Sequence, residues 1–172
     1  IPGRHVDYTL GIMKAYSTCV GEGPFTCEMF GEEAEALRKA GGEYGAATGR
    51  PRRVGAFDVP ASRYGIRMQG ADEIALTKLD VLSGFDEIEV CTAYELDGKT
   101  ITEFPFSADL DRCKPVFTKL KGWKKDISAC RKAEDLPQEA LDYIRFIEKA
   151  TGAYIKYVSV GASREAYIVL DK

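Results

Sequence analysis

Two short segments of this chain hold side chains whose types and spacing suit ligand chemistry. The first is Thr77-Lys78-Leu79-Asp80, directly after the apolar run Ile74-Ala75-Leu76. A carboxylate at Asp80 can accept two parallel N–H donors, and guanine offers that pair through N1–H and its exocyclic amine, whereas adenine does not. The stem of Lys78 can lie along a purine face with its ammonium at the rim. A strand-then-loop placement agrees, because open α/β sheets take ligands beyond the carboxyl ends of their strands. An ordinary strand-end turn accounts for the same four residues, and short motifs of this kind also arise by chance.

The second segment is Ala46-Ala47-Thr48-Gly49-Arg50-Pro51-Arg52, followed by Arg53. Gly45 and Gly49 allow close backbone approach and exposed N–H groups, and Thr48 adds a hydroxyl. Arg50 and Arg52 offer planar forks that match a carboxylate or phosphate, with Pro51 stiffening their spacing. The loop suits a small dianion. A solvated turn whose arginines pair with surface acids is the plain alternative. A nuclear-localisation or RNA-binding patch is a third, weakened by a footprint of three arginines.

Other features carry less. Gly98-Lys99-Thr100 looks like the tail of a phosphate loop, but Ala93 stands where the leading glycine belongs, and the site falls within a hairpin. His5 is the only histidine, which excludes a His–His metal site and reads as structural. Trp123, beside Gly122 and two lysines, reads as a packing anchor with a wet edge.

The elements that must position these segments are mixed α and β, without repeats or low-complexity linkers. Residues 6–16 are mostly apolar and fit either strand or helix, and Gly21-Glu22-Gly23-Pro24 breaks whichever forms. Residues 32–40 predict a short helix stopped by Gly41-Gly42. Asp58 can cap a helix with Pro60 in its first turn, and Ala61, Tyr64, Gly65 and Met68 recur on one face of it. Residues 73–77 read as a short buried strand. Residues 87–96 and 99–103 read as a hairpin joined at Asp97-Gly98, the pair a type I′ turn favours. The clearest helix covers 137–151, with Ala140, Leu141, Ile144, Ile147 and Thr151 as its core stripe and Gly152 as its stop. Residues 154–160 and 166–170 read as strands joined through Gly161-Ala162-Ser163-Arg164.

A length of 172 residues suits one domain with one well-buried core. Net charge is −3, which argues against a general nucleic-acid surface. No apolar run approaches a membrane span and no signal-peptide pattern is present. Cys19, Cys27, Cys91, Cys113 and Cys130 are odd in number and contain no C-x-x-C, as expected of reduced thiols in a cytosolic protein. The chain opens at Ile1 without an initiator Met, the expected look of a piece of a longer polypeptide.

In order and spacing, several segments together resemble a known family. They are Val6-Asp7-Tyr8 with Gly11-Ile12-Met13-Lys14-Ala15-Tyr16, Val20-Gly21-Glu22-Gly23-Pro24-Phe25, and Thr48-Gly49-Arg50-Pro51-Arg52-Arg53. Leu76 to Gly84, Pro115-Val116 to Gly122-Trp123, Glu134-Asp135-Leu136-Pro137 and Ser159-Val160-Gly161 continue the match. The chain resembles the C-terminal part of adenylosuccinate synthetase. The resemblance implies one mixed α/β domain over residues 1–172, the C-terminal domain of a P-loop-like GTP-dependent ligase, with a mixed sheet and flanking helices.

Enzymes of that family join IMP to L-aspartate, using GTP to phosphorylate the purine 6-oxygen before the aspartate amine displaces the phosphate. The resemblance implies that Lys78, Leu79 and Asp80 contact guanine and that Ser159, Val160 and Gly161 line the other side of the base. It makes residues 46–52 a mobile aspartate-binding loop, with Arg50 also reaching IMP and Arg52 bridging aspartate and the GTP phosphates. The backbone of Val20 is expected near the IMP ribose. A cytoplasmic homodimer using Mg²⁺ is expected for the whole protein, with no nucleic-acid or membrane partner. The family's phosphate loop, catalytic Asp and His, and Mg²⁺ ligands match nothing here, so no catalytic or metal-ligating residue is expected in this chain and half a site is.

Three departures stand out: Ala47 for a usual Thr, Ala56 for a usual Trp, and Ala162-Ser163 for a usual Pro-Asp. A non-catalytic guanine-nucleotide-binding module and a structural or oligomer-forming domain are the alternatives to a ligase fragment.

Overall fold

A computed structural model describes residues 6–171; His5 and Ile1 lie outside them. The first half of the chain forms β1 (Leu10–Lys14), β2 (Ser17–Cys19), α1 (Gly31–Gly41), β3 (Arg53–Gly55), β4 (Phe57–Asp58), α2 (Val59–Gln69) and β5 (Glu73–Thr77). The second half forms β6 (Glu87–Leu96), β7 (Lys99–Ile101), β8 (Lys114–Lys121), α3 (Gln138–Thr151), β9 (Ile155–Ser159) and β10 (Tyr167–Val169). A 3₁₀ turn, Leu79–Leu82, follows β5 directly.

The apolar run before Thr77 is the buried middle of β5, in a sheet of order β1-β5-β9-β10. Strands β1, β5 and β9 run parallel, and β10 closes the sheet antiparallel to β9. An unbroken Ile74-Ala75-Leu76 core fits a parallel strand covered on both faces. The parallel arrangement has one consequence for function: Lys14, Thr77 and Ser159 all end their strands at the same side of the sheet. The second sheet centres on β6, which pairs parallel with β4 and antiparallel with β7 and β8. Strands β2 and β3 form a separate antiparallel ribbon.

Helix α3 carries most of the expected stripe: Ala140, Ile144, Ile147 and Thr151 are buried, Leu141 is half-buried against the core, and Tyr143 joins them, its hydroxyl donating to the Ala15 carbonyl at 2.6 Å. Its stop is Gly152 in the left-handed region. Both sheets contribute to one apolar cluster running from Ala15 through Val54, Leu76, Val90 and Ile144 to Ile168. A smaller cluster of Cys27, Ala56, Cys91 and Tyr94 packs beside it. All five cysteines are unbridged. No helix among the described residues is long and apolar enough to cross a membrane.

Several local expectations hold. Helix α1 stops at Gly42, which is left-handed at φ 59° and ψ 37°. The β6–β7 turn has positive φ at both Asp97 (50°) and Gly98 (75°), as type I′ geometry demands. Asp58 caps α2, accepting the Ala61 N–H at 3.0 Å.

Others are corrected. The ambiguous residues 6–16 hold a strand, β1, because they pair with β5. Helix α2 forms as expected, and its face of Ala61, Tyr64, Gly65 and Met68 lies toward the surface: Met68 is 64% exposed, and Val59 and Pro60 are the buried residues. Trp123 has no wet edge. It is 2% exposed, and its indole N–H reaches Ser83 Oγ at 3.0 Å. Strand β8 escapes sequence reading because Pro115 and three lysines break its pattern, and none of its residues is fully buried.

Asp58 also accepts the buried Tyr94 hydroxyl through both oxygens, at 2.7 and 2.6 Å. Asp58→Ala removes a helix cap and leaves that hydroxyl without an acceptor. These losses together are worth about 2–4 kcal/mol. Denaturant unfolding should show a destabilisation of that order, and a change under about 0.5 kcal/mol, the size of an ordinary surface substitution, would refute the joint cap-and-acceptor role.

Candidate functional site

The site forms where the parallel strands end. Beyond β5, Lys78 takes a left-handed conformation (φ 61°, ψ 33°), unusual for a residue with a Cβ, and turns the chain into the Leu79–Leu82 turn. Leu79, Val81 and Leu82 are buried and anchor that turn, which packs on β9. Asp80 lies among them and is half-buried.

Asp80 Oδ1 is buried and has no hydrogen-bond partner, a condition no other buried side-chain polar atom among the described residues shares. Burial raises the Asp80 carboxyl above its ordinary range; its own backbone N–H and the Lys78 ammonium pull it down without cancelling the rise. A buried carboxylate oxygen without a donor costs about 1–3 kcal/mol. Such a group fits a ligand that brings N–H donors.

Lys78 is placed differently from its neighbour. Its ammonium does not sit free at a rim: it donates to the Gly41 carbonyl at 2.7 Å and to Glu43 Oε1 at 2.9 Å. Only its stem and backbone are left for a base. Beyond β9, Ser159 Oγ donates to the Gly161 carbonyl at 3.1 Å, closing a tight turn. The Val160 side chain is fully buried and its N–H bonds the Ala166 carbonyl at 2.9 Å, so it belongs to the core.

The arginine loop grows out of the C-terminal end of α1. Its base is closed by Arg52 N–H to the Glu43 carbonyl at 2.9 Å and by a bridge between Tyr44 and Pro51. Inside it, Gly45 N–H bonds the Arg50 carbonyl and Gly49 N–H bonds the Gly45 carbonyl, both at 2.8 Å. Arg50 N–H points to Thr48 Oγ1 at 3.3 Å. The expected free N–H groups of Gly45 and Gly49 are therefore used in closing the loop. Ala46, Ala47, Thr48, Gly49, Arg50 and Pro51 are exposed.

The three arginines separate in role. Arg50 makes no ion pair among the described residues and faces solvent. Arg52 is tied through Nη1 to Glu43 Oε2 at 2.7 Å, with its side chain 32% exposed. Arg53 is structural: its fork grips Glu28 at 2.9 and 2.6 Å, and it also donates to the Gly21 and Gly23 carbonyls at 3.3 and 2.8 Å. Through those carbonyls Arg53 holds the loop that presents Val20, which is 80% exposed.

Sequence reading missed Glu43. This carboxylate is wholly buried and receives Tyr16 Oη at 2.6 Å, Lys14 Nζ at 3.0 Å, Lys78 Nζ at 2.9 Å and Arg52 Nη1 at 2.7 Å. Burial alone would raise its pKa, but the donations from Tyr16, Lys78, Arg52 and Lys14 outweigh it and hold the group at about 2. Its only signal in the sequence is an acid placed between a helix stop and a basic loop. Gly41 is required beside it, since a Cβ there would stand 2.3 Å from the Tyr16 hydroxyl. No three His, Cys, Asp or Glu side chains among the described residues gather as a metal-binding cluster.

The arrangement brings together loops beyond parallel strands, an unpartnered acceptor and a basic loop, at the end of the sheet where open α/β folds take ligands. Residues 1–168 match the sequence model of the adenylosuccinate synthetase family, and the chain belongs to that family. It is 52% identical to adenylosuccinate synthetase of Aquifex aeolicus (strain VF5), over 96% of this chain and 38% of that protein. The enzyme of Synechococcus sp. (strain CC9902) is 50% identical, over 96% and 38%. A solved structure described as fully ligated adenylosuccinate synthetase from Plasmodium falciparum superposes with a TM-score of 0.95 at 38% identity, covering 99% of this chain and 42% of that one. The mixed α/β fold with flanking helices is thus that of the family. The chain spans about two fifths of the length of these relatives.

A carboxylate held below its ordinary 4.5 in the folded state contributes stability that is complete above that pH and is lost as pH falls toward about 2. The stability difference between the parent and Glu43→Gln should accordingly be largest near neutrality and shrink across that acid window. Denaturant midpoints measured from pH 7 to 2 test this, and a difference independent of pH would contradict the ionised, fully paired Glu43.

Proposed function

We propose that this chain supplies the guanine-reading and the aspartate- and IMP-holding loops of a GTP-dependent ligase that joins IMP to L-aspartate, forming adenylosuccinate in AMP biosynthesis. The observation that carries the reading is the orphaned Asp80 oxygen at the end of a parallel strand. Guanine N1–H and its exocyclic amine supply the missing donors, and an adenine edge cannot. The Lys78 stem, its ammonium held on Gly41 and Glu43, lies along the base. Ser159 and Gly161 close the far side with the backbone of Val160, whose side chain stays in the core.

Arg50, exposed and without an ion pair, takes a carboxylate or phosphate in its fork. The loop of residues 46–51 then orders around aspartate and presents Arg50 to IMP. Arg52 keeps one nitrogen on Glu43 and turns the rest of its guanidinium toward aspartate and the GTP phosphates. The backbone of Val20 meets the IMP ribose. These residues bind and orient. Groups that hold Mg²⁺ and move protons in phosphoryl transfer belong to other parts of the longer family proteins, which we place in the cytoplasm as homodimers.

Asp80→Asn in the native protein should raise the KM for GTP roughly tenfold to a hundredfold, the worth of one charge-assisted pair at about 1.5–3 kcal/mol. Discrimination against XTP, whose C2 oxygen accepts where guanine donates, should relax at the same time. Folding stability should stay level or rise, since a buried unpaired charge is removed. An unchanged GTP-over-XTP preference in a folded variant would end the assignment. For the loop, Arg50→Lys keeps the charge and loses the fork. It should raise the KM for aspartate or IMP at least several-fold and spare GTP; a defect confined to GTP would reassign the loop.

A further inference from the structure

The two ligand-facing segments share one buried anion. Glu43 Oε1 accepts from Lys14, Tyr16 and Lys78, and Oε2 accepts from Arg52. Lys78 belongs to the turn that presents Asp80, and Arg52 closes the arginine loop. One face of the carboxylate thus holds the ends of β1 and β5, and the other holds the loop. The cations are only part-covered, with side-chain exposures of 29% for Lys14, 32% for Arg52 and 35% for Lys78, whereas Glu43 has none.

We propose that Glu43 is a positioning residue that couples the arginine loop to the Asp80 turn, so that a ligand ordering one segment tightens the other. It touches no substrate. Its effect runs through Lys78 and Arg52, and it rests on the functional reading above. Three cations face one carboxylate, and removing that charge leaves them repelling each other across the junction. Both ends then drift. The Gly41 carbonyl, which also accepts from Lys78, cannot replace the missing charge. Because Oε1 and Oε2 belong to one rigid group, a shift of Lys78 toward a bound base re-aims the contact to Arg52. The converse follows by linkage.

The test is made on the native protein. Glu43→Gln should raise the KM values for GTP and for aspartate together, each about tenfold. It should also abolish the dependence of aspartate affinity on GTP concentration. A purely structural Glu43 would instead lower the active fraction and melting temperature at unchanged KM values, and that outcome overturns the proposal. Glu43→Asp, which keeps the charge on a shorter stem, should recover part of the affinity for both ligands.

If Glu43→Gln does not fold, Lys78→Met cuts only the turn's side of the junction. It should raise the aspartate KM at least threefold although Lys78 stands at the guanine end, and a defect limited to GTP refutes the coupling. One readout is independent of the assigned ligands. Lys78→Met should speed amide exchange in residues 44–51, and unchanged exchange there would break the coupling even if GTP, IMP and aspartate prove to be the wrong ligands.

Discussion

A charge buried without water must be met by opposite charge and donors, and Glu43 meets that demand by drawing in residues distant in sequence. Lys14 arrives from the end of β1, Lys78 from the end of β5, Arg52 from the base of a loop, and Tyr16 from the turn between strands. Desolvating a lone carboxylate costs several kcal/mol, and removing one partner of a buried pair typically costs about 3–5 kcal/mol. The local backbone conforms to this cluster. Gly41 has no Cβ because Tyr16 needs the space, Gly42 turns left-handed to deliver Glu43, and Lys78 accepts a left-handed conformation of its own.

Asp80, two residues beyond Lys78, is the opposite case. Its oxygen is buried with no donor, and its carboxyl is held above its ordinary range by that burial. The contrast between a satisfied anion and an unsatisfied one separates scaffold from candidate site. Glu43 holds the elements in place, and Asp80 keeps a buried acceptor without a donor where the parallel strands deliver it. Arg50 and Arg53 divide in the same way: Arg53 is consumed by Glu28 and two carbonyls, and Arg50 is left facing solvent.

Much of this was legible in the chain itself where local chemistry decides the outcome. The α3 stripe, the Asp97-Gly98 turn, the Asp58 cap, the Gly42 and Gly152 stops and the buried β5 each follow from residues within one or two turns. The order of motifs pointed to the family that the comparisons bear out. What escaped was long-range. No periodicity links Lys14, Glu43, Arg52 and Lys78, so their convergence could not be read before the strands were paired. Strand β8 was hidden by its lysines and Pro115, and spacing along α2 did not reveal that the helix buries its first turn, Val59 and Pro60. Loop N–H groups expected to be open proved to be closed by the loop itself.

The central claim is that Asp80 reads a guanine base, and a structure of the native protein with a non-hydrolysable GTP analogue tests it most directly. The account predicts guanine N1 and the exocyclic nitrogen each within about 2.7–3.2 Å of a different Asp80 oxygen, with the Lys78 ammonium still on Glu43. A base seated elsewhere, or an Asp80 Oδ1 that still meets no base donor in that complex, would contradict it.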